Sequence, residues 1–250
     1  MHILPNDLLA QYWNAPAIGA NLIIFAHLLG ALLLGLLVGY ERSYHGRAAG
    51  MRTYGIVCMT SAALTVFAGF PGYWFGMHST VAIAVDPTRV VQGIVTGIGF
   101  LGAGVIMRDG MTISGLTTAA SIWASSAIGI LVGLGFYAAA ILFSLLSAAL
   151  MMWGGKLEGR LPAQPAVAIT LRFAAGFVHP EENTLRKIAR ERGYVIANGS
   201  FLVRYDARQL EWQFVAVAIN GQHSTSLTRM ADELAQLDGV ERFQMSHARN

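Results

Sequence analysis

Residues 18–55 read IGANLIIFAHLLGALLLGLLVGYERSYHGRAAGMRTYG. The run Ile18–Tyr40 carries no formal charge, while residues 41–52 hold Glu41, Arg42, Arg47 and Arg52, with His45 among them. A helix crossing a bilayer needs about 20 mostly apolar residues. The stretch therefore reads as a membrane span, a charged turn and the start of a second span. Only 12% of the 250 residues are charged, about half the usual fraction for soluble domains. Residues 1–153 hold five Arg, no Lys and four acids (Asp7, Glu41, Asp86 and Asp109), whereas 154–250 hold twelve Lys or Arg and ten acids. This asymmetry divides the chain into a membrane body at 1–153, a linker at 154–164 and a small soluble domain at 165–250.

Five spans are expected: Ile18–Tyr40, Thr53–Phe70, Val90–Met107, Leu116–Leu134 and Phe136–Trp153. The first is expected to be retained, because no cationic segment precedes it and its apolar run exceeds that of a signal peptide. The last two are joined by almost nothing, which predicts a tight antiparallel pair. Loops on one side carry Arg42, Arg47, Arg52, Arg108, Lys156 and Arg160, and those on the other only Arg89. The positive-inside rule then places the N-terminus outside and the C-terminal domain in the cytoplasm. Cys58, the single cysteine, lies in an apolar run and reads as a small buried hydrophobe.

Small residues recur at spacings of four: Ala31, Gly35 and Gly39; Gly93 and Gly97; Gly129 and Gly133. Such spacing lets helix backbones approach closely in lipid. The third span, GIVTGIGFLGAGVI, places Gly93, Gly97, Gly99, Gly102 and Gly104 around the helix rather than on one face. These glycines read first as packing contacts between helices; the alternative is an irregular segment that forms a groove for a ligand or partner. Polar groups within spans need partners or roles. His27 reads as an interhelical hydrogen bond, Asp86 as a helix cap with Thr88, and Asp109-Gly110 as a turn. Gln92 and Thr96 share a face with Arg89 before them.

The tail alternates as strand, helix, strand, strand, helix, strand. Val167, Ile169, Leu171 and Phe173 show strand periodicity, and Pro180 opens a helix to about Arg192, stopped by Gly193. Val195–Tyr205 and Glu211–Ile219 follow as strands. Leu227, Met230, Ala231, Leu234 and Leu237 form a helical stripe ended by Asp238-Gly239, and Val240–Ser246 closes the order. This predicts a ferredoxin-like α+β domain.

The stretch GLLVGYERSYHGRAAGMRT, followed by RVVQGIVTGIGFLGAGVIMRDGMTISGLTTAASIWASSAIGILVGLG, resembles the MgtC/SapB family over about residues 22–150. The resemblance rests on Gly39, Glu41, Arg42, Arg47, Gly50, Arg52 and Thr53. It continues in Arg89, Gln92, Gly97, Gly99, Phe100, Gly102, Gly104, Gly115, Leu116 and Thr117. The tail is similar in layout to the family's ACT-like cytoplasmic domain. The resemblance implies a bacterial inner-membrane protein linked to magnesium limitation and survival inside host cells. It further implies action by contact with another membrane complex such as the proton-translocating ATP synthase, with magnesium transport as the alternative; the small-residue faces and the ACT-like tail make a homodimer a candidate assembly.

The candidate partner-binding or gating residues are Glu41, Arg42, Arg47, Arg52, Thr53, Asp86, Arg89, Gln92, Gly97, Gly99, Gly102, Gly104 and Asp109. One carboxylate among three guanidinium groups suits an acidic partner, a lipid headgroup or a phosphate. It suits Mg²⁺ poorly, since that ion takes oxygen ligands in an octahedral array. A transporter would need Asp86, Arg89, Gln92, Thr96, Glu41 and Asp109 to form one path. No basic stripe with interleaved aromatics points to nucleic acid. No metal-ligand set, nucleophile elbow or phosphate loop points to an enzyme or a cofactor. GIGFLG imitates a dinucleotide fingerprint but lies inside an apolar span.

Overall fold

The structure is a computed structural model, and it describes residues 13–47, 49–77, 86–109, 112–158, 166–174, 176, 181–206, 209–219 and 227–247. The chain divides into two compact units, residues 1–106 with 115–155, and residues 107–114 with 156–250.

The first unit is a bundle of five helices, each long and apolar enough to cross a membrane. Helix α1 is Ala15–Tyr44, α2 Met51–Gly69, α3 Pro87–Val105, α4 Leu116–Gly133 and α5 Tyr137–Glu158. Asn14 starts α1, its side chain accepting from Ala17 N at 2.8 Å, with Pro16 in the first turn. At 30 residues, α1 extends beyond its apolar run and carries Glu41 and Arg42 in its last turns. Helices α1 and α2 pack most extensively, and α4 packs against both.

Glycines make these contacts possible. A Cβ on Gly35 would lie 2.7 Å from both Cys58 Cβ and the Tyr54 carbonyl, and one on Gly39 would lie 2.7 Å from Met51 Cα. A Cβ on Gly129 would run into the Cys58 carbonyl, and one on Gly133 would lie 2.6 Å from Thr65 Cβ. Hydroxyls fill the same seam. Tyr54 bonds Ser121, Ser125 Oγ donates to the Tyr54 carbonyl at 2.9 Å, and Ser61 and Ser126 bond at 2.8 Å. Cys58 is fully buried among them.

One alternative reading and one expectation from the sequence fail in this unit. The glycine-rich third span is an unbroken helix from Pro87 to Val105 rather than an irregular segment. In lipid the backbone satisfies itself best as a helix, even at a cost in glycine entropy. The fourth and fifth spans do not form a tight pair. Gly135, at φ +83°, turns the chain between them, and α5 approaches the other helices closely only at isolated points. One of these is polar. His27, 8% exposed, donates from Nδ1 to the Ile23 carbonyl at 2.7 Å and accepts at Nε2 from Tyr137 Oη at 2.9 Å. Both ring nitrogens are satisfied, as an interhelical hydrogen bond requires.

In the second unit, β1 (Met107–Asp109) and β2 (Thr112–Ser114) form a small hairpin. The α+β domain follows as β3 (Ala166–Phe173), α6 (Glu182–Glu191), β4 (Tyr194–Ile196), β5 (Leu202–Asp206), β6 (Gln209–Ala218), α7 (Leu227–Ala235) and β7 (Val240–His247). Sheet order is β4-β6-β3-β7, with β5 also on β6, and every pairing is antiparallel. This is the ferredoxin-like arrangement, its second strand split into β4 and β5 by a turn at Ala197–Ser200. At the break, Ser200 Oγ accepts from Val215 N at 3.1 Å, replacing a strand carbonyl. The core joins Val167, Ile169, Leu171, Phe173, Trp212 and Phe214 to Leu185, Met230 and Leu234 of the helices. Gly193, at φ +82°, ends α6, whereas α7 stops at Ala235, short of the expected Asp238-Gly239 stop, and Gly239, at φ +79°, lies in the turn into β7. Pro180 lies outside the described residues; the helix begins at Glu182 after Glu181.

Candidate functional site

The residues singled out by sequence separate into three places. The first is the end of α1. Val38, Gly39, Glu41 and Arg42 are buried there against α2, with Glu41 7% and Arg42 6% exposed. Arg42 Nε lies 2.8 Å from Glu41 Oε2, and His45 Nδ1 lies 3.0 Å from Glu41 Oε1. The Glu41–Arg42 contact joins neighbours in sequence, so it is a charge contact without an aligned hydrogen bond, and among the described residues neither atom has a hydrogen-bond partner. Nearby runs the hydroxyl seam Tyr54–Ser121, from which Ser121 Oγ donates to the Thr118 carbonyl at 2.9 Å.

The rest of the loop faces outward. Arg47, Arg52 and Thr53 are exposed, and among the described residues neither arginine has an ion-pair partner. Ser43 Oγ accepts from Met51 N at 2.8 Å and so caps α2 from the end of α1. Gly50 leaves room for this, since its Cβ would lie 2.6 Å from that oxygen.

The second place is the opposite end of the bundle. Asp86 accepts from Thr88 N at 2.9 Å and Thr88 Oγ1 at 2.6 Å. These bonds hold its carboxyl below the usual carboxylate range. Arg89 and Gln92 are exposed, and Thr96 Oγ1 donates back to the Gln92 carbonyl at 2.8 Å. Asp86 is therefore a cap, and it does not meet Glu41.

The third place is the face of α3. Ile94, Ile98 and Gly102 are buried, with Ala119 3.8 Å from where a Gly102 Cβ would stand. Gly93, Gly97, Gly99 and Gly104 have nothing within 4 Å of a built Cβ, and Phe100 is 81% exposed. The Asp109 side chain lies outside the described residues; its backbone pairs with Thr112.

Sequence reasoning missed Tyr54, Ser121, Ser125, Ser61 and Ser126. The available signal was SIWASS, residues 121–126, three hydroxyls on neighbouring turns of a span.

The MgtC family profile matches residues 28–160, from the middle of α1 to just past α5. The chain belongs to the MgtC family. It is 46% identical over 110 residues to Protein MgtC of Brucella abortus (strain 2308), covering 44% of this chain and 42% of that one. It is 48% identical over 109 residues to Protein MgtC of Salmonella typhimurium (strain LT2), with the same coverage. The match thus spans about two fifths of the length of these relatives. No solved structure matches. The matched part of this family member contains the first-span end, α3 and the hydroxyl seam.

Proposed function

We propose that this multi-pass membrane protein is a regulator that works by helix contact with another membrane complex, the proton-translocating ATP synthase being the partner its family resemblance suggests. The observation behind this reading is the uncovered glycine face of α3. In lipid no hydrophobic force drives helices together, so association relies on close backbone approach, and glycine permits it. Gly35 and Gly39 of α1 and Gly129 and Gly133 of α4 are consumed inside the bundle, while Gly93, Gly97 and Gly104, spaced along one helix, meet nothing in their own chain. The outward Arg47 and Arg52 border the other end of the body. We place the protein in the bacterial inner membrane with a cytoplasmic C-terminal domain, serving under magnesium limitation and inside host cells.

Magnesium transport, the alternative, is less well supported. The Glu41 oxygens already face Arg42 and His45, and Asp86 is engaged by Thr88 at the far end. The test is ATP-driven proton pumping in inverted bacterial membrane vesicles. This chain should reduce pumping, and Gly97→Leu should restore it while the variant still inserts and folds. Unchanged pumping with the native chain, or full inhibition by Gly97→Leu, would overturn the reading.

A further inference from the structure

The helices of the α+β domain cover one face of its sheet. Val167, Ile169, Leu171, Phe173, Trp212 and Phe214 point toward them, so by strand alternation residues 168, 170, 172, 211, 213 and 215 lie on the other face. Strand register places side chains across that face in rungs. One rung is Arg242, Arg172, Glu211 and Arg204, each directly opposite the next. The adjacent rung begins with Gln244 and Thr170, and Gln213 follows. Beyond it the face turns small: Ser246, Ala168 and Val215 form one rung, with Ala168 only 8% exposed between its neighbours, and then Val217 lies between Ala166 and Val195.

The charges are not arranged for self-neutralisation. Arg172 Nη2 donates to Glu211 Oε2 at 2.9 Å, and Gln213 Nε2 donates to Oε1 at 2.8 Å, so the carboxylate is fully engaged. Arg242 stands directly opposite Arg172, and like charges in such a pair destabilise a sheet. Among the described residues Arg242 has no ion-pair partner. The other acid nearby, Glu241, accepts from Gln209 Nε2 at 3.0 Å. The β3–β7 half of the face therefore offers two guanidinium forks, an amide and a hydroxyl, one fork held in place by Glu211. A carboxylate has too few oxygens for that donor set, whereas a phosphoryl group matches it.

From this juxtaposition we propose that the open face of the sheet binds a nucleoside phosphate, its phosphate on Arg172, Arg242, Thr170 and Gln244 and its sugar and base along the apolar strip. From Arg172 to Ala168 the strand runs about 14 Å, long enough for that layout. Phosphate charge relieves the Arg172–Arg242 repulsion, and the strip adds contact that inorganic phosphate cannot use.

The test is equilibrium binding of ADP to the full chain in phosphatidylcholine nanodiscs. ADP should bind saturably and more tightly than inorganic phosphate or adenosine alone. Arg242 is exposed, so Arg242→Gln should fold, and it should weaken ADP by about tenfold, as losing a charge-assisted fork implies. Arg242→Lys should give an intermediate loss. Arg190→Gln, which removes an exposed charge on α6 instead, should leave binding unchanged. Absence of saturable ADP binding, or equal losses for Arg190→Gln and Arg242→Gln, would overturn the proposal. So would abolition of ADP binding when phosphatidylglycerol replaces phosphatidylcholine, which would assign the face to lipid headgroups.

Discussion

Glu41 and Arg42 are adjacent in sequence and buried together, which sets the cost of changing either. Removing one member of a buried ion pair leaves the other charged and desolvated. Arg42→Met is therefore expected to destabilise the bundle by about 3 kcal/mol, read by denaturation in mixed micelles. Glu41→Leu with Arg42→Met should recover most of that loss, because no uncompensated charge remains; an equal or larger loss in the double variant would contradict this account. The glycines make a second contrast. Gly129→Ala forces a methyl into the Cys58 carbonyl, an overpacking cost of about 2 kcal/mol. Gly97→Ala meets nothing and should change stability by less than about 0.5 kcal/mol, or raise it slightly through helix propensity. In sequence the two glycines look alike, each four residues from another. The spacing showed that close packing was available. It could not show which pairs the bundle would use, since that depends on which helices become neighbours.

At the scale of elements, α5 buries a narrow stripe of Ala140, Ser144, Ser147 and Ala148, and the His27–Tyr137 bond ties it to α1 through polar groups. Tyr137→Phe keeps the ring contact, 5.4 Å between centroids, but removes the donor to Nε2. The buried acceptor is then unmet, at about 1–2 kcal/mol, and hydrogen exchange along α5 should quicken while α2 and α4 stay protected. Unchanged α5 exchange would show that the bond does not hold this helix. In the sheet, the bond from Arg172 is the main cause holding the Glu211 carboxyl below its usual range. A depressed folded pKa adds stability above the unfolded value near about 4.3, and that stability fades as pH falls through the folded one. In a chain retaining only Trp212, fluorescence should report sheet loosening below about pH 4, and Glu211→Gln should flatten that acid limb. The element order of the tail was legible because apolar alternation and turn glycines are local signals. The tight α4–α5 pair was misjudged because a short connection fixes only where a helix starts, and the backbone at Gly135 directs it away.

For the whole molecule, composition alone separated the charge-poor helical body from the polar α+β domain, since hydrocarbon tolerates few charges anywhere along a span. The candidate site was only partly legible. A charged cluster such as residues 41–52 looks uniform in sequence, yet folding draws Glu41 and Arg42 inward and leaves Arg47 and Arg52 outside. Burial of that kind is set by neighbouring helices. Orientation, by contrast, is a property of summed loop charge, and it yields a test that this chain makes simple. Its single cysteine is fully buried, so an added cysteine should be labelled against little background. Tyr73→Cys lies in the turn between α2 and α3, beside the Arg89 end, and Asn183→Cys lies exposed on α6. If the arginine-rich loops face the cytoplasm, a membrane-impermeant maleimide added to spheroplasts should label Tyr73→Cys at once. Asn183→Cys should react only after permeabilisation. The reverse pattern would put the α+β domain outside the cell, away from cytoplasmic nucleotides, and would remove the setting that both the regulatory reading and the phosphate site require.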